Sequence, residues 1–482
     1  MLLLALSAFA ACGDDDFTGL PDGPDRPDTP EPDGPQVGLV KLTITDGGTP
    51  QPMVKVYFQN ADSTIVSATM TDVNGVASAV MEAGGFVTAI NPFPQIIPAI
   101  VSNGDDVRTF AGVKPLDELV LSRGNGGGSV VNVTLLVNPD PNVVGGTYEL
   151  FAPCIGGSLN ITNGGGSGSG SGSIGGAVQL TGCGATSDFT ITVRDGNFNL
   201  VSSIHKDNVT LTEGQPVDLT DLTYVAAETA TFQYTNAPAG FDSFGLASVL
   251  LSQHGQQNVI FSDGSFDNGT GTTPPIARPV VDNDLQLTAG SFGTNTGRHQ
   301  VLEWGPSTTA YTKSLAGLLL AEYATFPTYD VATKTITWTV GAGADPDFAI
   351  ARTSFSRPDG SGKGFINWDW EIVAPLGTEE SIRYPVLPAP DDDYNPTAQD
   401  AGQDVFSLTT AKFPGGYDAI RETVFSVADN NSDLPNGIVT GATGTVVIED
   451  LQFATKRTPP KVRDLLQPFA QRVKAAHKAR RR

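Results

Sequence analysis

The sequence predicts an all-β protein built from tandem β-sandwiches, and three observations carry that expectation. Apolar and polar residues alternate through many short runs, the period of a half-buried strand. The 55 Gly and 34 Pro make up nearly a fifth of the 482 residues, punctuation that suits short strands joined by turns and works against long helices. Leucine-rich runs with a 3.6-residue period are almost absent. With 39% hydrophobic residues the chain has enough apolar material for a core. Its length suggests about three globular units at roughly 100–200 residues each.

The chain opens with a segment that is not part of any core. Residues 1–11, MLLLALSAFAA, form an apolar run ending in small residues directly before Cys12. A bilayer span needs about 20 apolar residues, so the run is read as the hydrophobic part of a signal peptide, with the true start expected upstream of Met1. Residues 13–36 are built largely from Asp, Pro and Gly, cannot bury a core, and are expected to be an extended, disordered tether. At about 3.1 Å per residue in proline-rich geometry, the tether reaches on the order of 70 Å.

The first globular unit is expected over 37–140. Leu39–Thr45 alternates, Asp46-Gly47-Gly48 marks a turn, and Val54–Phe58 repeats the strand signal. Asp72-Val73-Asn74-Gly75 is a tight-turn sequence. Val76–Met81, Phe86–Ile90 and Val130–Val137 are expected to complete a small sandwich. A second β unit is expected over 145–273, with strands at Gly146–Phe151, Phe189–Val193, Val209–Leu211 and Thr231–Tyr234, and a third over 274–455, with strands at Thr335–Val340, Gly364–Val373 and Thr445–Glu449. No fixed-period repeat is evident.

Charge divides the chain again. The net charge of −24 argues against nucleic-acid binding, which needs clustered Lys and Arg. Residues 456–482 carry ten basic residues against Asp464 alone, a net charge of +9 that leaves −33 on the preceding residues. In this tail Val462, Leu465, Leu466, Phe469, Val473 and Ala476 recur at helical spacing. An amphipathic helix on an anionic surface is one reading. A frayed tail drawn to the acidic body is the plainer one, and Pro468 would kink any single helix.

Two resemblances sharpen this picture. Ending at Ala10-Ala11-Cys12, the leader resembles the lipobox of bacterial lipoproteins, which implies acylation at Cys12, with that residue as the new N-terminus. The membrane is then the partner, through a lipid anchor that several acyl chains would make effectively permanent. Outer-membrane sorting and surface exposure are the expected location. If Cys12 is acylated, Cys154 and Cys183 remain as an even pair in an oxidising compartment, and a disulfide is the natural assignment. It would close a loop of about 30 residues around the Gly/Ser run 164–176, worth roughly 3–4 kcal/mol on the entropic model. The second resemblance rests on Val54-Lys55-Val56-Tyr57-Phe58, Thr71-Asp72-Val73-Asn74-Gly75-Val76-Ala77 and Gly84-Gly85-Phe86-Val87-Thr88. Here the chain is similar to carboxypeptidase regulatory-like modules, extracellular β-sandwiches that act as spacers or share a carbohydrate-binding-like fold. Ig-like adhesin repeats are the competing assignment.

Chemistry-bearing motifs are sparse. None of His205, His254, His299 and His477 stands in H-x-x-x-H spacing or near a Cys, so no zinc site or other cofactor is expected. No G-x-S-x-G elbow occurs. Gly360-Ser-Gly-Lys363 lacks the first glycine of a phosphate loop and is read as a turn. Asp195-Gly-Asn-Phe-Asn199 opens like a calcium loop, but Leu200 replaces the needed glycine, so it too is read as a turn. Asp391-Asp-Asp393 is either a cation ligand set or a solvated loop.

Trp368-Asp369-Trp370-Glu371 is the most informative constellation. In a strand Trp368, Trp370 and Ile372 share one face while Asp369, Glu371 and Val373 share the other. The plain reading is a core stripe with acids facing water, and the alternative is an aromatic platform for sugar rings at Trp368 and Trp370. A glycosidase pair is disfavoured, since catalytic acids flank a cleft from different strands. The leading expectation is a non-catalytic surface lipoprotein that binds an extracellular glycan or envelope protein, or scaffolds the envelope. A carbohydrate-binding protein and a hydrolase within 145–455 are the alternatives.

Overall fold

A computed structural model describes residues 37–46, 48–93, 104–123, 130–152, 157–161, 176–181, 185–236, 242–251, 257–258, 271–272, 276–280, 285–293, 298–306, 308–321, 323–358, 365–376, 380–398, 400, 405–422 and 444–452. The leader, Cys12, the tether, Cys154, Cys183, His254, His477, residues 360–363 and the basic tail lie outside the described residues. The described chain is all-β, as its alternation predicts, with several sheets and one five-residue α-helix at Gly416–Ile420. Among the described residues no helix is long and apolar enough to cross a membrane.

The first strand, Val37–Asp46, organises a small sheet. It runs antiparallel to Val76–Glu82 and parallel to Glu118–Arg123. Its alternate side chains Val40, Leu42 and Ile44 are fully buried against Val56, Phe58, Val87 and Phe110 of a second sheet. The turn at Asp72–Gly75 is set by short-range hydrogen bonds. Asp72 Oδ1 accepts the N–H groups of Asn74 (2.8 Å) and Val76 (2.9 Å). Gly75 takes a φ of +72°, and a Cβ there would lie 2.4 Å from the Ile44 carbonyl oxygen, so the turn needs a glycine. Thr71 ties this turn to the core, accepting the Val54 N–H (2.9 Å) and donating to the Gln51 carbonyl (2.7 Å).

The second sheet extends far beyond this unit. Twelve strands run from Ile65–Met70 through Lys55–Gln59, Gly85–Ile90 and Gly104–Val113 to Phe365–Pro375, Phe348–Pro358 and Val405–Lys412, then Gly444–Gln452, Arg298–Pro306, Leu285–Gly293, Asp242–Leu251 and Gln257–Asn258. Neighbours are antiparallel except at one seam. There Gly104–Phe110 runs parallel to Asn367–Val373, joining segments about 260 residues apart in sequence. The seam crosses the boundary drawn in sequence between 37–140 and 274–455.

The central strands of this sheet are covered on both faces. One face shares the core of the first unit, to which Phe348, Val373, Ala411, Phe413, Tyr417 and Ile420 contribute. The other packs beneath a three-stranded sheet, Tyr323–Asp330, Thr335–Val340 and Ser381–Arg383, around Trp338, Trp368, Trp370 and Tyr384. Double coverage leaves little room for a water-facing side, and strands of this kind read as nearly continuous buried runs. Gly85–Ile90 is buried at every position, with its Thr88 hydroxyl hydrogen-bonded to Thr109 (3.0 Å).

A separate sandwich lies over Val130–Ala226. Strands Gly157–Ile161, Thr147–Ala152, Thr186–Arg194, Leu200–Thr210 and Val225–Ala226 face strands Ala177–Thr181, Val130–Leu136 and Pro216–Asp218. Leu135, Leu150, Leu180, Phe189 and Ile191 fill its core. Val130–Leu136 was expected to complete the first unit. It pairs instead with Ala177–Thr181 and Pro216–Asp218, because its buried Val133 and Leu135 belong to this second core. A fourth cluster packs Phe232, Tyr234 and Tyr311 against Val301 and Val447, beside the far half of the long sheet.

Candidate functional site

The seam is where chemistry-bearing residues converge. Strand alternation sends Trp368, Trp370 and Ile372 to one face and Glu371 and Val373 to the other. Trp368 is 1% exposed and Trp370 fully buried. The Phe355 ring stacks on Trp368 (5.1 Å between centroids), and the Arg357 guanidinium lies over the indole at 4.6 Å. Trp370 donates its Nε1–H to Thr109 Oγ1 across the seam (2.9 Å) and meets Tyr384 edge-on. These rings form a core stripe and offer no open face to a sugar, so the aromatic platform at Trp368 and Trp370 is set aside.

The acids depart from expectation. Glu371 does not face water: its carboxylate accepts a hydrogen bond from Arg108 Nη1 (2.5 Å), and both side chains are only 6% exposed. Arg108 also contacts Asp106 through Nε (2.9 Å). Asp369, nearer the surface, pairs with Arg352 (3.0 Å). The physical reason is the first unit, whose core covers the Val373 side of this strand and turns what would be a solvated face into an interior. Glu371 is engaged by a buried cation and Asp369 by a surface one, an arrangement of structural pairing.

Five further ties hold the first unit to residues 386–422. Arg421 forks onto Asp117 through Nε (2.7 Å) and Nη2 (2.6 Å), the planar bidentate geometry that favours arginine. Tyr417 donates to the Ala111 carbonyl (2.8 Å), and Lys114 pairs with Asp418. Gln59 Nε2 donates to the Val386 carbonyl (2.8 Å). Asp391, from the acidic triplet, receives Lys55 Nζ (2.6 Å) and the Tyr57 hydroxyl (2.5 Å). The hydrogen bond to Asp391 raises the Lys55 ammonium above its ordinary value. Burial, followed by the Asp391 bond, raises the Tyr57 phenol. At neutral pH the trio is therefore an ammonium, a neutral phenol and the Asp391 oxygen that both contact. Asp391 thus acts as a tie between segments, and Asp392 and Asp393 form a short 3-10 turn beside it.

Elsewhere the motifs resolve into turns and core. Asp195 Oδ1 accepts the N–H groups of Asn197 (2.8 Å) and Asn199 (2.9 Å), an Asx-type turn. Among the described residues no group of three or more His, Cys, Asp or Glu is placed to hold a metal ion. His299 is buried against the Leu320 carbonyl (3.2 Å), and burial pushes its imidazole down to about 4. His205 contacts Thr190 Oγ1 through Nδ1 (2.8 Å) and Asp207 through Nε2 (2.7 Å). This has the order of a hydroxyl–imidazole–carboxylate relay, but Thr190 is fully buried mid-strand, where a substrate carbonyl has no approach to its hydroxyl.

Sequence reasoning missed Arg108, Asp117, Arg421 and the part-buried Arg357–Asp400 pair. One signal was present. Arg108 stands two residues before Phe110 and so shares its inward phase, an unusual place for a cation that has no partner.

No family model matches the chain, and no curated protein matches it. Among solved structures it is similar to the Bacillus anthracis TIE protein at 10% identity and a TM-score of 0.14, over 58% of this chain and 49% of that one. The chain therefore spans about half the length of that protein. A streptococcal ancillary pilin is similar at 11% identity and a TM-score of 0.14, over 58% of this chain and 98% of the other. The four N-terminal Ig domains of Dscam1 match at 12% identity and a TM-score of 0.12, over 78% and 96%.

Proposed function

We propose that the chain is a non-catalytic lipoprotein of the cell envelope, held by acylation at Cys12 and displaying its sandwiches beyond residues 13–36 as an extracellular binding or scaffolding element. The supporting observation is the use made of its charged clusters. Arg108–Glu371, Asp117–Arg421 and Lys55–Tyr57–Asp391 each fasten the first unit to segments some 260–330 residues away. Groups spent this way build a stiff display body rather than a reaction centre. The Ala10-Ala11-Cys12 leader and the acidic tether supply the attachment and the reach.

Metabolic labelling with a palmitate analogue tests the anchor. The wild-type chain is expected to take label and partition into detergent, and the Cys12→Ser variant to lose both. Equal labelling of the two, or none in either, overturns the proposal. Outward display is tested by protease shaving of intact cells, which should release the sandwiches; sandwiches that stay protected overturn that part of the proposal.

A further inference from the structure

The topology around the first strand carries a mechanical consequence. A chain pulled from its N-terminal side against a later point loads its first strand along the strand axis. If that strand's partner is parallel and the load leaves from the partner's C-terminal end, the two forces act at opposite ends of the pair. Every ladder hydrogen bond is then stretched together, in shear. An antiparallel partner loaded at its C-terminal end would instead open one bond at a time.

Val37–Asp46 and Glu118–Arg123 meet the first condition. They pair in parallel over six register positions, from Lys41–Glu118 to Asp46–Arg123, although every other pairing of the first strand is antiparallel. The load points also fit. The tether enters at Val37, and the chain leaves Arg123 toward the separate sandwich that begins at Val130. A pull that enters at Val37 and leaves through Arg123 loads this pair.

Side chains reinforce the same line. Lys41 Nζ bonds Glu118 (2.8 Å) and Thr45 Oγ1 bonds Ser122 Oγ (3.1 Å), each across a directly opposite pair. Leu42, Ile44, Leu119 and Leu121 are fully buried beneath them. The partner strand is braced from its other edge as well. Val120 N–H donates to the Glu422 carbonyl (2.7 Å), and Asp117, just before the strand, is held by the bidentate Arg421.

We propose that the Val37–Asp46/Glu118–Arg123 pair is a force-bearing clamp, loaded in shear when the middle sandwich or its ligand is pulled away from the N-terminal attachment. The direction of the load rests on the anchor reading, whereas the strength of the clamp does not, and the two fail separately. Its test is single-molecule pulling of the full chain carrying click handles at chosen positions. Handles at Gln36 and Asn125 shear the pair. Handles at Thr49 and Asn125 pull both strands from their shared C-terminal end and unzip it, in the same folded protein. Forced unfolding reports the barrier under load, and breaking six ladder positions together should raise the rupture force by about a factor of two or more over breaking them in turn. Equal forces in the two geometries, or a weaker Gln36/Asn125 pair, overturn the clamp. Because no lipid is present in the assay, a chain that passes this test yet shows no Cys12 labelling would retain the clamp and lose only the anchor.

Discussion

The middle sandwich and the first unit are similar in size and strand content, yet they are bounded in different ways. Strands over Val130–Ala226 pair among themselves and enclose one core. Strands over Val37–Arg123 enclose a core that also takes in Phe348, Val373, Ala411 and Tyr417, and their sheet continues across the seam into the C-terminal half. The difference teaches that a unit here is defined by who fills its core, and contiguity in sequence is a poor guide. Stability should therefore be local in the middle sandwich and shared across the seam.

The largest expected effects come from breaking that sharing. Trp370→Ala removes a fully buried indole and its bond to Thr109, a change worth about 3–5 kcal/mol. Hydrogen exchange should rise together over Gly104–Val113 and Phe365–Pro375 while Thr186–Arg194 keeps its protection. Exchange confined to one side of the seam would show that the two halves do not share stability. Glu371→Gln tests the same joint through charge. It neutralises one of the two carboxylates that Arg108 contacts while Asp106 stays in place. The loss should therefore fall below the cost of a buried charge left wholly uncompensated, about 3–5 kcal/mol. The double change Arg108→Met with Glu371→Met should recover part of that loss in urea unfolding, since apolar replacements remove both buried charges and leave Asp106 to the solvent it partly faces. The mirror experiment is Ile191→Ala, which should cost about 2–5 kcal/mol and raise exchange only within Val130–Ala226.

How much of this was legible follows the physics of each element. The strands could be read because alternation is local: Thr335–Val340 and Val76–Glu82 fall where the pattern places them. The Trp368–Trp370 stripe was legible for the same reason. What alternation cannot report is what lies on the second face. Glu371 reads as a solvated acid until another sheet covers it, and Val130–Leu136 reads as a strand without naming its partner. Asp117–Arg421 and Tyr57–Asp391 join residues more than 300 positions apart, and no local window contains both members. Arg108, in phase with Phe110, was the single hint, since an inward cation demands a carboxylate from somewhere.

Acid should separate the regions next. Burial holds His299 at about 4, below its ordinary 6.5, so the folded chain binds fewer protons than the unfolded one between those values. Its contribution is complete above about pH 6.5 and is lost as pH falls toward 4. The whole shift corresponds to about 3 kcal/mol. Urea unfolding followed by the fluorescence of the buried tryptophans, Trp304 on the same strand among them, should show this decline. His299→Gln should flatten it. A decline of equal slope in that variant would assign the acid sensitivity to other groups.

The smallest effect probes the outermost tie. Tyr57→Phe keeps the ring in the core beneath the three-stranded sheet and removes only the hydroxyl that reaches Asp391. A hydrogen bond to a charged acceptor is worth about 1.5–3 kcal/mol, and here the retained Lys55–Asp391 pair still satisfies the carboxylate, so the loss should sit at the lower end. Exchange should rise at Lys55–Gln59 and near Asp391 while the seam strands stay protected. If the seam loosens as well, Asp391 is part of the joint between the halves. If it does not, the tie is an outlying strap, and the shared core around Trp370, Phe348 and Val373 is what makes two distant stretches of sequence one unit.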